Sequence, residues 1–156
     1  MNPSIPFLKA ENLVGRWSSE AFFYDAFEDT QLEFHADGTG CCAYIRPFHS
    51  DITLFKWSLE DDRIEFVNYC GVYIEDDEET GEQKHYTSRF ENKSSERFFK
   101  AKGLNISKKE IDVIAFYYPL EQASGMQSFG LMSKELNNSF RDQALALMDV
   151  PDTMTP

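Results

Sequence analysis

Apolar and polar residues alternate with a period of two through much of the first seventy positions, and short turn signals separate the alternating runs. That is the pattern of antiparallel strands joined by tight turns. The clearest stretch is Gln31-Leu32-Glu33-Phe34-His35-Ala36, then Asp37-Gly38, then Thr39-Gly40-Cys41-Cys42-Ala43-Tyr44-Ile45-Arg46. Asp-Gly suits a two-residue hairpin loop, because both loop positions must accept positive φ. Such a loop predicts Phe34 facing Cys41 and Leu32 facing Ala43 on one apolar side. On the other side it predicts Glu33 beside Cys42, Gln31 beside Tyr44, and Asp29 beside Arg46 as an opposite-charge pair. His35 falls on that outward side.

A second hairpin follows. Phe55-Lys56-Trp57-Ser58-Leu59-Glu60 turns at Asp61-Asp62 into Arg63-Ile64-Glu65-Phe66-Val67. A two-residue loop here pairs Leu59 with Ile64 and Trp57 with Phe66 inside, and Glu60 with Arg63 outside. Further strands are predicted near 14–23, 69–75, 83–90, 96–106, 110–117 and 126–132, the run Ile111–Tyr117 stopping at Pro119. One helix is predicted, with Ser139 as N-cap, Asp142 at its third position, and Phe140, Ala144 and Leu147 as an apolar stripe. Residues 150–156 read as a loose tail. The expected fold is a single, mostly β domain over 1–156. It is an antiparallel up-and-down barrel or strongly curved meander of about eight to ten strands, with a short amino-terminal capping segment and one carboxy-terminal helix.

Composition agrees with a strand-rich core. The 156 residues include 14 Phe, 7 Tyr and 2 Trp, and 42 % of the chain is hydrophobic, which favours large buried rings over a helical bundle. No stretch approaches the ~20 apolar residues of a membrane span. The first six residues show no basic segment leading into an apolar run, so no export signal is expected. The three cysteines, Cys41, Cys42 and Cys70, have neither C-x-x-C spacing nor a histidine partner at zinc spacing. Adjacent strand positions point to opposite faces, so Cys41 and Cys42 cannot serve one site. Reduced structural thiols in a cytoplasmic protein are expected.

Charge changes the picture more. Residues 1–80 hold five Lys/Arg against seventeen Asp/Glu, whereas 81–156 hold ten of each, so the net −12 lies wholly in the first half. Such a field repels nucleic-acid backbones and attracts basic proteins.

Leu13-Val14-Gly15-Arg16-Trp17, followed by the Leu32-x-Phe34 strand, the Asp37-Gly38-Thr39-Gly40 turn and Phe55-x-Trp57, resembles the lipocalin-like, or calycin-type, small barrels of bacteria. The resemblance covers about the first 70 residues. It implies that Gly15-x-Trp17 opens the first strand, that Trp17 plugs one barrel end, and that Ile5–Asn12 caps it. The Thr-Asp-Tyr motif of secreted members is absent. Ser19 and Ala21 stand where the haem-binding members extend the motif with glycines.

No catalytic motif emerges. Gly125-Met126-Gln127-Ser128-Phe129-Gly130 has the wrong spacing for a nucleophile elbow. Gly38-x-Gly40 opens a strand and lacks the third glycine of a dinucleotide loop. His35, His49 and His85 are scattered and read as surface or turn residues. Asp76-x-Glu78-x-Thr80-Gly81 has the alternation of a calcium loop, but Thr87 stands where a bidentate Glu is required. No enzyme activity, cofactor or metal is therefore expected.

Two binding roles remain open. One is an acidic inhibitor or immunity-type protein that neutralises a basic partner such as a nuclease toxin. It would act through Glu75, Asp76, Asp77, Glu78 and Glu79, with Asp25, Glu28 and Asp29 in support if the two loops share a barrel end. The other is a carrier or sensor of a small hydrophobic ligand, held in the barrel by Trp17, Phe34, Trp57 and Phe66. Those rings are numerous enough to fill a small barrel, which favours the first role.

Overall fold

The structure, a computed structural model, describes residues 9–19, 28–123 and 125–156. Eight antiparallel strands form a closed barrel in chain order: β1 (Gly15–Ser18), β2 (Asp29–Phe34), β3 (Thr39–Arg46), β4 (His49–Glu60), β5 (Arg63–Asp76), β6 (Gln83–Leu104), β7 (Glu110–Phe116) and β8 (Ser128–Ser133). Strand β8 returns to pair with β1. One helix, α1 (Phe140–Met148), follows the barrel, and a 3-10 turn at Ala10–Asn12 precedes it. The expected runs 63–67 and 69–75 are one strand, as are 83–90 and 96–106. Bulges around Asn68–Cys70 absorb the irregularity without ending either strand.

The β4–β5 hairpin has the predicted register: Leu59 opposite Ile64, Trp57 opposite Phe66 and Glu60 opposite Arg63. Asp61, the first of the two loop residues, takes a positive φ of +54°. The β2–β3 hairpin is one residue off the prediction. Phe34 faces Gly40, Leu32 faces Cys42, Glu33 faces Cys41 and Asp29 faces Ile45. The loop is the three-residue Ala36-Asp37-Gly38, closed by the His35 N–H on the Thr39 carbonyl at 2.9 Å, with Gly38 at φ +82°. That is a type I turn followed by a left-handed residue, the usual three-residue hairpin. Two local causes select it. The Asp37 carboxylate accepts the Thr39 N–H at 3.0 Å and the Thr39 hydroxyl at 2.6 Å. At position 40, a Cβ would lie 2.1 Å from the Glu33 carbonyl and 2.6 Å from the Phe55 ring, so only glycine fits there.

Two apolar layers result. Inside the barrel, Phe34, Phe55, Trp57 and Phe66 pack ring on ring, with Phe34 edge-on to Trp57 at 5.2 Å and Phe55 edge-on to Phe66 at 4.9 Å, and Trp17 is buried in the same core. The Trp17 indole N–H donates to the Leu13 carbonyl at 2.9 Å, at the barrel's amino-terminal end. Gly15 stands at φ +145° with the Ser133 carbonyl only 2.7 Å from where a Cβ would be, which explains the glycine of Gly-x-Trp physically. Outside the barrel, Cys41, Ala43, Ile52, Leu54, Cys70, Val72 and Ile74 form a second layer beneath α1. The predicted stripe, Phe140, Ala144 and Leu147, covers them. Ser139 caps the helix, its hydroxyl accepting the Asp142 N–H at 3.3 Å.

The carboxy-terminal segment is not loose. Thr153 N–H donates to the His85 carbonyl at 2.9 Å, His85 N–H donates to Thr153 Oγ1 at 2.8 Å, and Asp152 accepts the Thr87 N–H at 3.0 Å. Edge atoms of β6 beyond the reach of β7 are thereby partly satisfied. His85, expected at the surface, is buried beneath this segment.

Candidate functional site: an acidic cleft at one barrel end

In an up-and-down meander alternate connections share an end. The start of β2, the β3–β4 turn and the β5–β6 hairpin therefore lie together, as the registers Asp29–Ile45, Arg46–His49 and His49–Glu75 require. Between the β3–β4 turn and the β5–β6 tip opens a cleft of about 540 Å³. Phe48, His49 and Tyr73 supply its aromatic surface. Glu75 through Glu79 and Glu82 supply its carboxylates, with Lys84 as the one cation lining it among the described residues. The Asp76 N–H donates to the Phe48 carbonyl at 2.6 Å and ties the two walls together. Phe48 sits at φ +65° with its ring half exposed, an uncommon backbone state for a bulky residue.

All five acids of the predicted run are exposed and line this cleft. They are not equivalent. The Asp77 carboxylate turns back on its own loop and accepts the N–H groups of Glu79 and Thr80, both at 2.8 Å. Those bonds, the one from Thr80 foremost and then Glu79, hold its carboxyl below the ordinary value. Asp77 shapes the tip, while the other four carboxylates project from it.

The supporting acids divide differently. Asp25 lies outside the described residues. Glu28 is exposed at this end and accepts the Tyr44 hydroxyl at 2.5 Å. Asp29 is a correction to the expected surface acid. It is buried on the outer side of β2 and accepts hydrogen bonds from Ser18 Oγ at 2.7 Å and Gln31 Nε2 at 2.6 Å. The one-residue change of register places it opposite Ile45, so Arg46 forms its ion pair with Asp51 instead.

Sequence reasoning missed an aromatic surface that continues the cleft. Tyr44, Asp51, Tyr73 and Tyr86 occupy one row across four strands. Tyr73 stacks on Tyr86 at 5.1 Å, His49 meets Tyr73 edge-on at 6.4 Å, and the Arg46 guanidinium lies 4.7 Å over the Tyr44 ring. A shallow groove of about 170 Å³ beside Thr53, Gly71 and Ser88 shares Tyr73 with the larger cleft. The available signal was a run of tyrosines at polar-face positions of otherwise alternating strands, where a solvated strand needs no ring.

The ring residues expected to line an internal ligand pocket, Trp17, Phe34, Trp57 and Phe66, are all buried, and Phe34 packs against both Trp57 and Phe66. Away from the cleft, Glu33 forms the densest polar cluster. Its fully buried carboxylate meets Arg16 at 3.2 Å and His35 Nε2 at 3.0 Å, and accepts the Ser139 hydroxyl at 2.6 Å and the Phe140 N–H at 2.8 Å. Burial by itself pushes this carboxyl up, but the bonds from Ser139, His35 and the two backbone N–H groups of α1 outweigh it and hold it below its ordinary value. Serine, histidine and glutamate together suggest a triad, yet the geometry is different. One ring nitrogen, His35 Nε2, faces both Glu33 and Ser139, whereas a relay needs the two nitrogens to serve the two partners separately. His35 and Ser139 are also buried beneath α1. This cluster anchors the helix to the barrel. Cys41 shares its side of the sheet, and burial, then the Glu33 charge, push that thiol well up.

Among the described residues, no three His, Cys, Asp or Glu side chains converge as a metal cage, and no helix is long and apolar enough to cross a membrane. Compared with protein-family profiles, with curated proteins and with solved structures, the chain matches none.

Proposed function

We propose that this protein is a non-enzymatic acidic inhibitor, of the immunity type, that captures a basic protein such as a nuclease toxin in the cleft between the β3–β4 turn and the β5–β6 hairpin. The observation that carries this reading is the convergence of six carboxylates, with exposed Phe48 beside them, on one cleft of about 540 Å³. Like charges held this close repel and lower stability, so a fold has no use for them by itself. A basic partner gives them one, through fast steered association and discrimination against other surfaces. Three buried free thiols support a reducing cytoplasm as its location. The calycin-type kinship suggested by Gly15 and Trp17 belongs to the same reading, as the scaffold that presents the cleft. The alternative of a hydrophobic-ligand carrier is less well supported, since the rings that would line the pocket are buried and Phe34 packs on both Trp57 and Phe66.

The test is the association rate with a cationic nuclease domain as the basic probe protein, measured by stopped flow across a salt series. Asp76→Asn, Glu78→Gln and Glu79→Gln together should slow association by about tenfold at low salt and by little at high salt, because screening acts over roughly 10 Å at 0.1 M. A triple variant that keeps the parental rate and salt dependence overturns the reading.

A further inference from the structure

We infer that the partner segment is extended and arginine-bearing, and that its guanidinium groups stack on the Tyr73–Tyr86 surface while the carboxylates of the hairpin tip bind their edges. This rests on the reading above and specifies the chemistry that the cleft selects. Three observations support it.

The first is size and shape. The acidic cleft and the shallower groove share Tyr73, and Gly71 leaves the groove floor without a side chain. A continuous track of this kind holds a stretch of chain rather than one side chain. The second is the surface itself. Tyr73 and Tyr86 are stacked at 5.1 Å and partly exposed, with Phe48 half exposed nearby, so the track offers flat aromatic faces as well as charge. Tyrosine and arginine are the residue types that most often carry interface energy.

The third is a precedent within the chain. Arg46 lies 4.7 Å over the Tyr44 ring and pairs with the Asp51 carboxylate at its edge. Two strands over in the same row, Tyr73 offers the same elements, a ring face with the Glu75 carboxylate two residues along the strand. No cation is recorded over the Tyr73 or Tyr86 rings among the described residues. Lysine would satisfy the carboxylates, but it presents a compact, strongly hydrated point charge. The planar, weakly hydrated guanidinium stacks on a ring while its N–H groups bond a carboxylate.

The experiment uses two labelled peptides of equal charge, one alternating arginine with glycine and the other lysine with glycine, titrated against the full chain by fluorescence anisotropy at low salt. The arginine peptide should bind about tenfold more tightly, and Tyr86→Leu should bring the two affinities close together. Ring-proton resonances of Tyr73 and Tyr86 in the unmodified protein should shift with the arginine peptide and much less with the lysine one. This second measurement needs no substitution, so misfolding of a variant cannot obscure the result. Equal affinities with unshifted ring signals overturn the arginine inference while leaving a basic-partner inhibitor standing. Failure of both peptides to bind, together with a partner association indifferent to salt, overturns both.

Discussion

Glu33 and the Glu75–Glu79 run are the same chemistry placed in two opposite environments. Glu33 is fully buried, and each of its oxygens is engaged by Arg16, His35, Ser139 or the first N–H groups of α1. The hairpin acids stand in solvent, where Asp77 accepts two N–H groups of its own loop and Asp76 accepts the Gln83 side chain across the hairpin at 3.5 Å. A buried carboxylate is tolerated only when it is paired and hydrogen-bonded, and removing one partner then leaves the rest uncompensated. An exposed one contributes little to folding, because water and salt screen it. The chain's acidity is therefore two properties: acids built into the fold, Glu33 and Asp29 among them, and a group of acids that the fold displays.

The sharpest way to break this comparison is at Glu33. Glu33→Ala takes the carboxylate away from Arg16, which keeps the Asn137 and Asn138 carbonyls, and from His35, which keeps Ser139, and it removes the anchor at the start of α1, so it should cost about 3–5 kcal/mol, read as a large fall in melting temperature. The pH dependence has a definite sign. The folded carboxyl lies below its ordinary value of 4.5, so its contribution is complete above that value and is lost as pH falls through the lowered folded value. The Glu33→Gln variant should lack this acid-limb loss. A melting temperature for Glu33→Ala within a degree or two of the parent would show that α1 is held by its apolar stripe alone.

Ser139→Ala is the intermediate case. It removes a helix cap and one donor to Glu33 but leaves the charge and the remaining donors in place. The expected cost is about 1–2 kcal/mol by chemical denaturation. A cost as large as that of Glu33→Ala would mean that the hydroxyl, rather than the carboxylate, organises the junction.

How legible this was from sequence depended on local chemistry. Leu59, Trp57, Ile64 and Phe66 were placed correctly despite an Asp-Asp turn, because both faces of that hairpin sort cleanly by polarity. The Asp37-Gly38 turn looked stronger and misled by one residue. Asp37 bonds Thr39, which lengthens the loop, and glycine at position 40 is demanded by the Glu33 carbonyl across the hairpin together with the ring of Phe55 from the next strand, contacts that only the folded register reveals. The burial of Glu33 was unreadable for a related reason. Nothing local says that a helix more than a hundred residues later will cover an outward strand position. Ser139 and its stripe were legible, but not the place where they dock. For the candidate site, the acidic run was plain, whereas the tyrosines joined it only once β3 to β6 were laid side by side. The burial of Asp29 followed from the same register change and was hidden with it.

The smallest expected effect separates the tip acids from one another. Asp77 is exposed, so charge interactions with the rest of the molecule should be nearly screened out at that position. Its hydrogen bonds to Thr80 and Glu79 nevertheless fix the loop from which the other carboxylates project. The folded carboxyl lies below its ordinary value of 3.8, so tip order should persist above that value and fade as pH falls through the lowered one. Amide proton resonances of Glu79 and Thr80 should report this titration, while the melting temperature near neutral pH barely changes when Glu78 or Glu79 is neutralised. Asp77→Ala should abolish the acid-dependent shift at those two amides and raise their exchange rates. Core amides such as those of Phe34 and Phe66 should be unaffected. If the Thr80 amide titrates identically in Asp77→Ala and in the parent, the tip is ordered by something other than Asp77. All five acids of the run would then be equivalent solvated charges, and the distinction between the residue that shapes the hairpin and those it displays would be lost.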